Sequence, residues 1–158
     1  MLSFMRWTHR VYPYGPAWLG ITIPLSFIGN NIFILTFILF KLLASVSFVF
    51  SAYFVQKISE QLSSQKSLLL LVLFAFNPLI IIESLVTGHI DIVMLVFALW
   101  GLYCLLQKKY IWAVFLLFIS IGIKFVTVFL IPLFIAIYIM QRRGGDSDIR
   151  QNDTVVDL

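Results

Sequence analysis

Charge and cysteine are both scarce in this sequence. Of its 158 residues, 11% are charged and 61% are hydrophobic, whereas soluble domains are about 25% charged. The shortage of charge excludes an ordinary soluble domain and predicts an integral membrane protein whose long apolar runs form helices. The single cysteine, Cys104, lies in one of these runs, so the chain has no intrachain disulfide framework.

Carboxylates are absent from the first third of the chain, and the first one in the sequence is Glu60. The net charge is +4, but the lysines and arginines occur singly or in pairs between apolar runs, as the positive-inside rule predicts. We therefore expect membrane lipid as a partner and no nucleic acid. The basic start leads into Tyr12–Pro16 (YPYGP) rather than a short apolar region with a cleavage site, so we expect no signal peptide.

The apolar segments predict an all-α polytopic fold. Ala17–Ile28 is about a dozen residues long against about 20 needed for a span, so it is predicted to be a juxtamembrane helix. Ile111–Met140 would be about 45 Å long as one helix, too long for an untilted span, and is predicted to be two short helices that turn at Lys124. About five transmembrane helices result, the others being Ile32–Val55, Leu68–Ile82 and Ile92–Leu106.

The basic residues predict an orientation. Placing the basic connectors in the cytoplasm satisfies the positive-inside rule with alternating spans. YPYGP, the loop from Glu83 to Asp91 and the turn at Lys124 then share the extracytoplasmic face. The expected domains are an extracytoplasmic lead with the juxtamembrane helix (1–31), a transmembrane domain (32–141) and a disordered cytoplasmic tail (142–158).

The stretch Asn77–Asp91 (NPLIIIESLVTGHID) puts ionisable side chains between two apolar runs. Each such group costs about 2.5 to 3.5 kcal/mol at a bilayer centre, so a function is expected. Simpler interpretations stay open, since the loop can be solvated with a helix cap. In the same way, Lys124 can simply mark a turn between helices, and YPYGP can be a turn without a binding role. Lys41, in the first long apolar run, either packs inside the protein or contacts a ligand.

Three motifs together resemble the GT-C superfamily of polytopic glycosyltransferases, and most of all glycosyltransferase family 87 and the polyprenol-phosphate mannosyltransferases. They are YPYGP before a short apolar helix, NPLIIIESLVTGHID, and GIKFVTVFLIP. Those enzymes show Tyr-Gly-Pro, an Asn-Pro…Glu…Gly-His-x-Asp stretch, and a lysine at a helix turn before a proline-containing helix. The matching residues are Tyr14, Gly15, Pro16, Asn77, Pro78, Glu83, Gly88, His89, Asp91, Lys124 and Pro132.

The resemblance implies a GT-C-like partial core that transfers a sugar, expected to be mannose, from a polyprenyl-phosphate donor to an acceptor at the extracytoplasmic face. It implies that Lys124, aided by Arg6 or Arg10, holds the donor phosphate. A carboxylate must take the acceptor proton, and Glu83 and Asp91 are the weak candidates for this catalytic role. The expected substrate-binding residues are Tyr14, Asn77, Glu83, His89, Asp91 and Lys124.

One departure from the GT-C pattern concerns the catalytic carboxylate. GT-C enzymes carry it in the first extracytoplasmic loop, before the Tyr-Pro segment, and no Asp or Glu precedes Glu60 here. We therefore expect an internal fragment or truncated product that is inactive alone. No cofactor is expected, and no metal site is indicated, since His89 and Asp91 alone do not make a closed site.

Two other classes of function remain open. A small transporter or ion-coupled subunit would relay protons or bind a solute through deep, water-accessible groups, namely Glu83, His89, Asp91, Lys41 and Lys124. The transferase interpretation instead leaves Lys41 peripheral. A non-catalytic assembly protein would be favoured by GxxxG spacing, which the sequence does not contain.

Overall fold

The computed structural model describes the backbone of residues 14–30 and 32–156, with side chains as far as Arg143 except that of Ser64. Arg6 and Arg10, expected beside the donor phosphate, lie outside the described residues, as does the start of the YPYGP segment. Every secondary-structure element in the described ranges is helical. The all-α fold is therefore confirmed.

Within these ranges the chain forms α-helices joined by short helical turns. The helices are α1 Pro16–Gly29, α2 Phe33–Leu62, α3 Ser67–Ala75, α4 Pro78–Ile81, α5 Asp91–Leu106, α6 Tyr110–Ile123 and α7 Ile131–Val156. The turns are a 3-10 turn at Ser64–Lys66, a π-helical segment at Ile82–Val86 and a 3-10 segment at Phe125–Leu130.

Two helical runs in the described ranges are long and apolar enough to cross a membrane, α2 and Phe125–Arg143. A third span results if Ser67–Ala75 and Pro78–Val86, which meet at 50°, count as one. Helices α1, α5 and α6 are apolar but shorter. The chain is an all-α membrane protein, and the number of about five spans stays a prediction.

The long apolar run breaks at Lys124, as predicted. Helix α6 ends at Ile123, and Lys124 is extended with φ −149° and ψ 124° before the 3-10 segment begins. The Thr127 hydroxyl donates to the Lys124 carbonyl at 2.9 Å. A backbone acceptor at the break thereby finds a partner, as a buried carbonyl requires.

Two helix ends lie beyond the positions expected from the sequence. Helix α2 continues through Gln56, where a polar connector is predicted, and ends at Leu62. A Lys57–Glu60 pair of 2.9 Å supports this extension, since residues three apart are neighbours on a helix. Helix α7 runs to Val156, where a disordered tail is predicted, because elongating a formed helix is far easier than nucleating one.

The second predicted membrane helix is two helices rather than one. Helix α3 ends at Ala75, and Asn77 then caps α4, its side-chain oxygen accepting from the Leu79 N–H at 2.9 Å. Pro78 is the first residue of α4, a position where its missing N–H is not needed. Proline therefore starts a helix here instead of ending one.

Helix α5 lies at the centre of the bundle and packs against α2, α6 and α7. It approaches α6 closely at Gly101, where a Cβ would lie 3.2 Å from the Ala113 carbonyl oxygen. Buried residues form one cluster near each end of α5. The first comprises Ala44, Ile90, Ile92, Val93 and Ile123, and the second Cys104, Leu105, Ala113, Leu116, Leu117 and Phe134.

Charged residues mark both ends of α5. The end that carries the loop from Glu83 to Asp91 and Lys124 is called the polar end. The other, which carries Lys108 and Lys109, is called the basic end. Helix α7 brings its own arginines to the basic end, because Gln141 Nε2 donates to the Leu105 carbonyl at 3.2 Å.

Candidate functional site

Lys124 and Asp91 form an ion pair at the polar end. Asp91 is the first residue of α5, where a carboxylate complements the helix dipole, and Lys124 directly follows α6. Lys124 Nζ donates to Asp91 Oδ1. The two side chains are 38% and 44% exposed, so a ligand can reach the pair.

Glu83 and His89 form a second pair in the same loop, with 3.4 Å between Glu83 Oε2 and His89 Nε2. The His89 N–H donates to the Glu83 carbonyl at 2.9 Å, and Gly88 between them has φ 70°, a conformation that favours glycine. Thr87 Oγ1 also donates to the Glu83 carbonyl at 2.6 Å. Glu83 lies in the π-helical segment, a rare element that occurs frequently at functional sites.

The YPYGP segment reaches the turn at Lys124. The Gly15 N–H donates to the Ile123 carbonyl at 3.1 Å. The two backbones are so close that a Cβ on Gly15 would lie 2.1 Å from the Gly122 carbonyl oxygen. Tyr14, whose ring lies 6.5 Å from that of Trp18, directly precedes this contact. Three distant parts of the sequence therefore meet at one end of the bundle.

Lys41 also lies at the polar end, although the transferase interpretation of the sequence leaves it peripheral to the site. Its Nζ donates to the carbonyls of Leu85, at 3.1 Å, and Val86. The last carbonyls of a helical segment lack partners within it, so the ammonium satisfies them. The structure thus brings Lys41 next to the loop that carries Glu83. A lone lysine deep in an apolar helix was the signal that could have indicated this role.

Asn77 lies apart from the paired charges. Its hydrogen bonds belong to the start of α4, and that whole helix separates it from Glu83 along the chain. Helix capping accounts for an asparagine followed by proline without any ligand. A substrate-binding role for Asn77 stays a prediction, whereas Tyr14, Glu83, His89, Asp91 and Lys124 lie at or next to the contacts of the polar end.

A comparison with known families decides what kind of domain carries this site. The family profile described as the MptA_B family, alpha-(1->6)-mannopyranosyltransferase, N-terminal domain, matches residues 4–141. The chain belongs to this family. Neither a search of curated proteins nor a search of solved structures returns a match.

Membership in the MptA_B family confirms the resemblance to GT-C mannosyltransferases and makes the chain a mannosyltransferase-type glycosyltransferase domain. The match extends from before α1 into α7, so the whole polar end lies inside it. Within the described residues, no group of three histidine, cysteine, aspartate or glutamate side chains could hold a metal ion. The polar end offers two carboxylates, an imidazole and ammonium groups.

The polar end of this MptA_B domain is recessed from the start of α2. Lys41 lies about 12 Å along that helix from Phe33, at 1.5 Å per residue. The end of α1 and the start of α2 form an apolar hairpin that extends beyond Lys41. In this hairpin Phe27 is 80% exposed and Phe33 is 81% exposed. Exposed apolar surface of this kind is typical of contact with a membrane. This apolar surface thus extends from the polar end of the bundle.

Proposed function

We propose that the polar end binds polyprenyl-phosphate mannose and positions its sugar for transfer to an acceptor hydroxyl. The observation that carries the proposal is the Lys124–Asp91 pair beside the Glu83–His89 pair. A cation suited to phosphate and carboxylates suited to a proton lie together in a mannosyltransferase domain. We also propose that this end faces the extracytoplasmic side, because the basic connectors lie at the opposite end.

Lys124 is the proposed ligand of the donor phosphate. Its ammonium is partly exposed and paired with one carboxylate oxygen, so a phosphate can share or replace that partner. During transfer the bond between the anomeric carbon and the phosphate oxygen breaks, and the electron pair stays on the phosphate. A cation placed there stabilises the developing charge. Asp91 holds the ammonium at the turn before the donor arrives.

Glu83 is the proposed base for the acceptor hydroxyl. Lys124 neutralises Asp91, whereas Glu83 faces His89, which is charged only when protonated. A general base must come within hydrogen-bond distance of the proton it takes. With its side chain 49% exposed, Glu83 can reach an incoming sugar. Lys41 supports this role indirectly, because it fixes the carbonyls that follow Glu83.

The recess beside the apolar hairpin supports a lipid-linked donor. A polyprenyl chain has to remain in hydrocarbon while its phosphate reaches Lys124. The exposed faces of α1 and α2 supply an apolar surface for such a chain, and they begin where the recess begins.

A photoreactive analogue of polyprenyl-phosphate mannose tests donor binding in membranes that carry the full chain. Lys124→Gln is expected to lower crosslinking about tenfold to a hundredfold, because a hydrogen bond to a charged group contributes about 1.5 to 3 kcal/mol. Lys66→Gln removes the same charge near the other end of α2 and is expected to crosslink like the unaltered chain. Equal crosslinking by all three chains would contradict the proposal.

A further inference from the structure

We infer that the basic end binds an anionic phospholipid, with its phosphate on Lys108 and Lys109 and one acyl chain in the groove between α5 and α6. The groove lies at the opposite end of α5 from Lys124, so it is separate from the proposed donor site. Its occupant is a lipid of the surrounding membrane, not the mannose donor.

The groove has an apolar wall and a charged mouth. Its volume is about 850 Å³, and its wall includes Trp100, Ile111, Trp112 and Leu116, with Lys108 and Lys109 at the mouth. From Lys109 to Leu116 it follows α6 for about 10 Å. This length accommodates the part of an acyl chain that lies nearest the headgroup. Tryptophan and tyrosine are enriched at the depth of lipid headgroups, which suits the position of the two lysines.

The backbone at the mouth is held in a conformation that lysine does not favour. Lys108, two residues after the end of α5, has φ 60°. Its N–H donates to the Leu105 carbonyl at 3.0 Å, and the Lys109 N–H donates to the Cys104 carbonyl at 2.9 Å. This is the Schellman arrangement, whose left-handed position is usually glycine. The chain therefore has a lysine side chain at a position whose backbone suits glycine better.

The lysines at the mouth are available to an anion. Among the side chains that the structure describes, the ion pairs engage Lys57, His89 and Lys124, and no carboxylate pairs with Lys108 or Lys109. Arg142 adds positive charge close by, because it lies 5.7 Å from the Tyr138 ring, which packs on Tyr110. Basic pockets at the ends of membrane helices bind acidic lipid headgroups.

A phospholipid uses both parts of this surface. An inorganic phosphate would engage the lysines and leave the apolar wall uncovered. A neutral lipid would fill the groove and leave two positive charges uncompensated. The combination of a dibasic mouth and an apolar groove therefore matches a negatively charged headgroup joined to a hydrocarbon chain.

Native mass spectrometry of the purified full chain tests this binding, with equal amounts of phosphatidylglycerol and phosphatidylcholine added in detergent. The unaltered chain is expected to retain phosphatidylglycerol preferentially. The double variant Lys108→Gln/Lys109→Gln should retain about thirtyfold less, since each lysine near an anionic headgroup contributes about 1 kcal/mol. Lys57→Gln/Lys66→Gln removes the same charge near this end but outside the groove, and should stay within about twofold of the unaltered chain.

Three results would overturn the site. Equal losses in the two double variants would mean that general positive charge attracts the lipid. Equal retention of both lipids would mean that the lysines do not select the headgroup. Displacement of phosphatidylglycerol by millimolar inorganic phosphate would mean that the groove contributes nothing.

A second variant tests the groove without changing the charge. Trp112 is 60% exposed, so Trp112→Ala leaves the buried cluster intact, which circular dichroism in detergent can verify. It is expected to lower phosphatidylglycerol retention several-fold although both lysines remain. Unchanged retention in this folded variant would place the lipid elsewhere.

Discussion

The polar and basic ends of the bundle both carry ionisable groups, but they hold them differently. At the polar end, Lys124 is paired with Asp91, Glu83 with His89, and Lys41 with backbone carbonyls. At the basic end, the lysines between α5 and α6 have no carboxylate partner among the described side chains. Charges at the first end are fixed by protein partners, whereas those at the second end are open to the membrane.

This difference separates a reaction site from an anchoring site. Catalytic groups have to be held in place, because small displacements reduce the rate steeply. Groups that contact lipid headgroups need a positive charge at the depth of the headgroups, but they do not need an exact geometry. Short helices produce the first situation here, since α6 ends at Ile123 and the π-helical segment ends at Val86, and both ends lie at the polar end.

The largest expected difference between the two ends concerns carboxylates. Because Glu83 is the proposed base, the chain is expected to transfer mannose itself, in contrast to the sequence-based expectation of an inactive fragment. Glu83→Gln is then expected to lower mannose transfer from polyprenyl-phosphate mannose at least about a hundredfold, the lower range for loss of a general base. Glu60→Gln removes a carboxylate paired with Lys57 on α2 and should leave transfer within about twofold. The measurement is the rate of product formation in membranes that carry each chain.

Donor crosslinking separates the possible failures of this prediction. If the unaltered chain crosslinks the donor but transfers no mannose, the base is not Glu83. If Glu83→Gln and Glu60→Gln lose transfer equally, the polar end has no special role. Both measurements use the same membranes, so expression is normalised in one blot.

The second prediction concerns backbone contacts that close the polar end. Gly15→Ala should destabilise the protein by about 2 kcal/mol, within the range for overpacking, because its Cβ would lie 2.1 Å from the Gly122 carbonyl oxygen. Gly20→Ala is the matched control, since a Cβ there meets nothing within 4 Å. It should be neutral or slightly stabilising, as alanine is the better helix former. Thermal unfolding in detergent gives both values, and similar melting temperatures would show that the contact at Gly15 is loose.

Sequence reasoning succeeded where a length limit applied. Ile111–Met140 is too long for one untilted span, so the break at Lys124 could be predicted, and the structure places it there. The ends of α2 and of α3, the helix that precedes Asn77, were harder to predict from the sequence. Polar residues such as Lys57 and Glu60 are compatible with either a loop or an exposed helix, and their pairing decides between the two.

Contacts between distant segments could not be predicted from the sequence. Lys41 reaches carbonyls 44 and 45 positions later, and this depends on how α2 docks against the π-helical segment. The contact of Gly15 with Gly122 depends similarly on the path of α1. The alternation of spans predicted that Tyr14 and Lys124 share one face of the membrane. The distances between their segments depend on how the helices pack, which the sequence does not give.

The third prediction compares two lysines of α2, one at each end of the bundle. Lys41→Met should raise amide hydrogen exchange in the loop from Glu83 to Asp91 about tenfold, because hydrogen bonds from a charged donor contribute about 1.5 kcal/mol or more. Lys57→Met breaks an exposed surface pair, which is screened by solvent and contributes little, and should leave that loop unchanged. If exchange in the loop is the same in both variants, Lys41 does not hold it.

The smallest effect is expected at two left-handed residues that follow helices at opposite ends of the bundle. Asn30 follows α1 with φ 45° and Lys108 follows α5 with φ 60°. Asparagine tolerates this conformation and lysine does not, so Lys108→Gly should stabilise the lipid-free protein by about 1 kcal/mol and Asn30→Gly by a few tenths. Lys108→Gly should at the same time weaken phosphatidylglycerol retention, whereas Asn30→Gly should not. A Lys108→Gly chain that melts higher and keeps its lipid would show that the lysine side chain is dispensable and that the basic end is no more selective than any positively charged membrane surface.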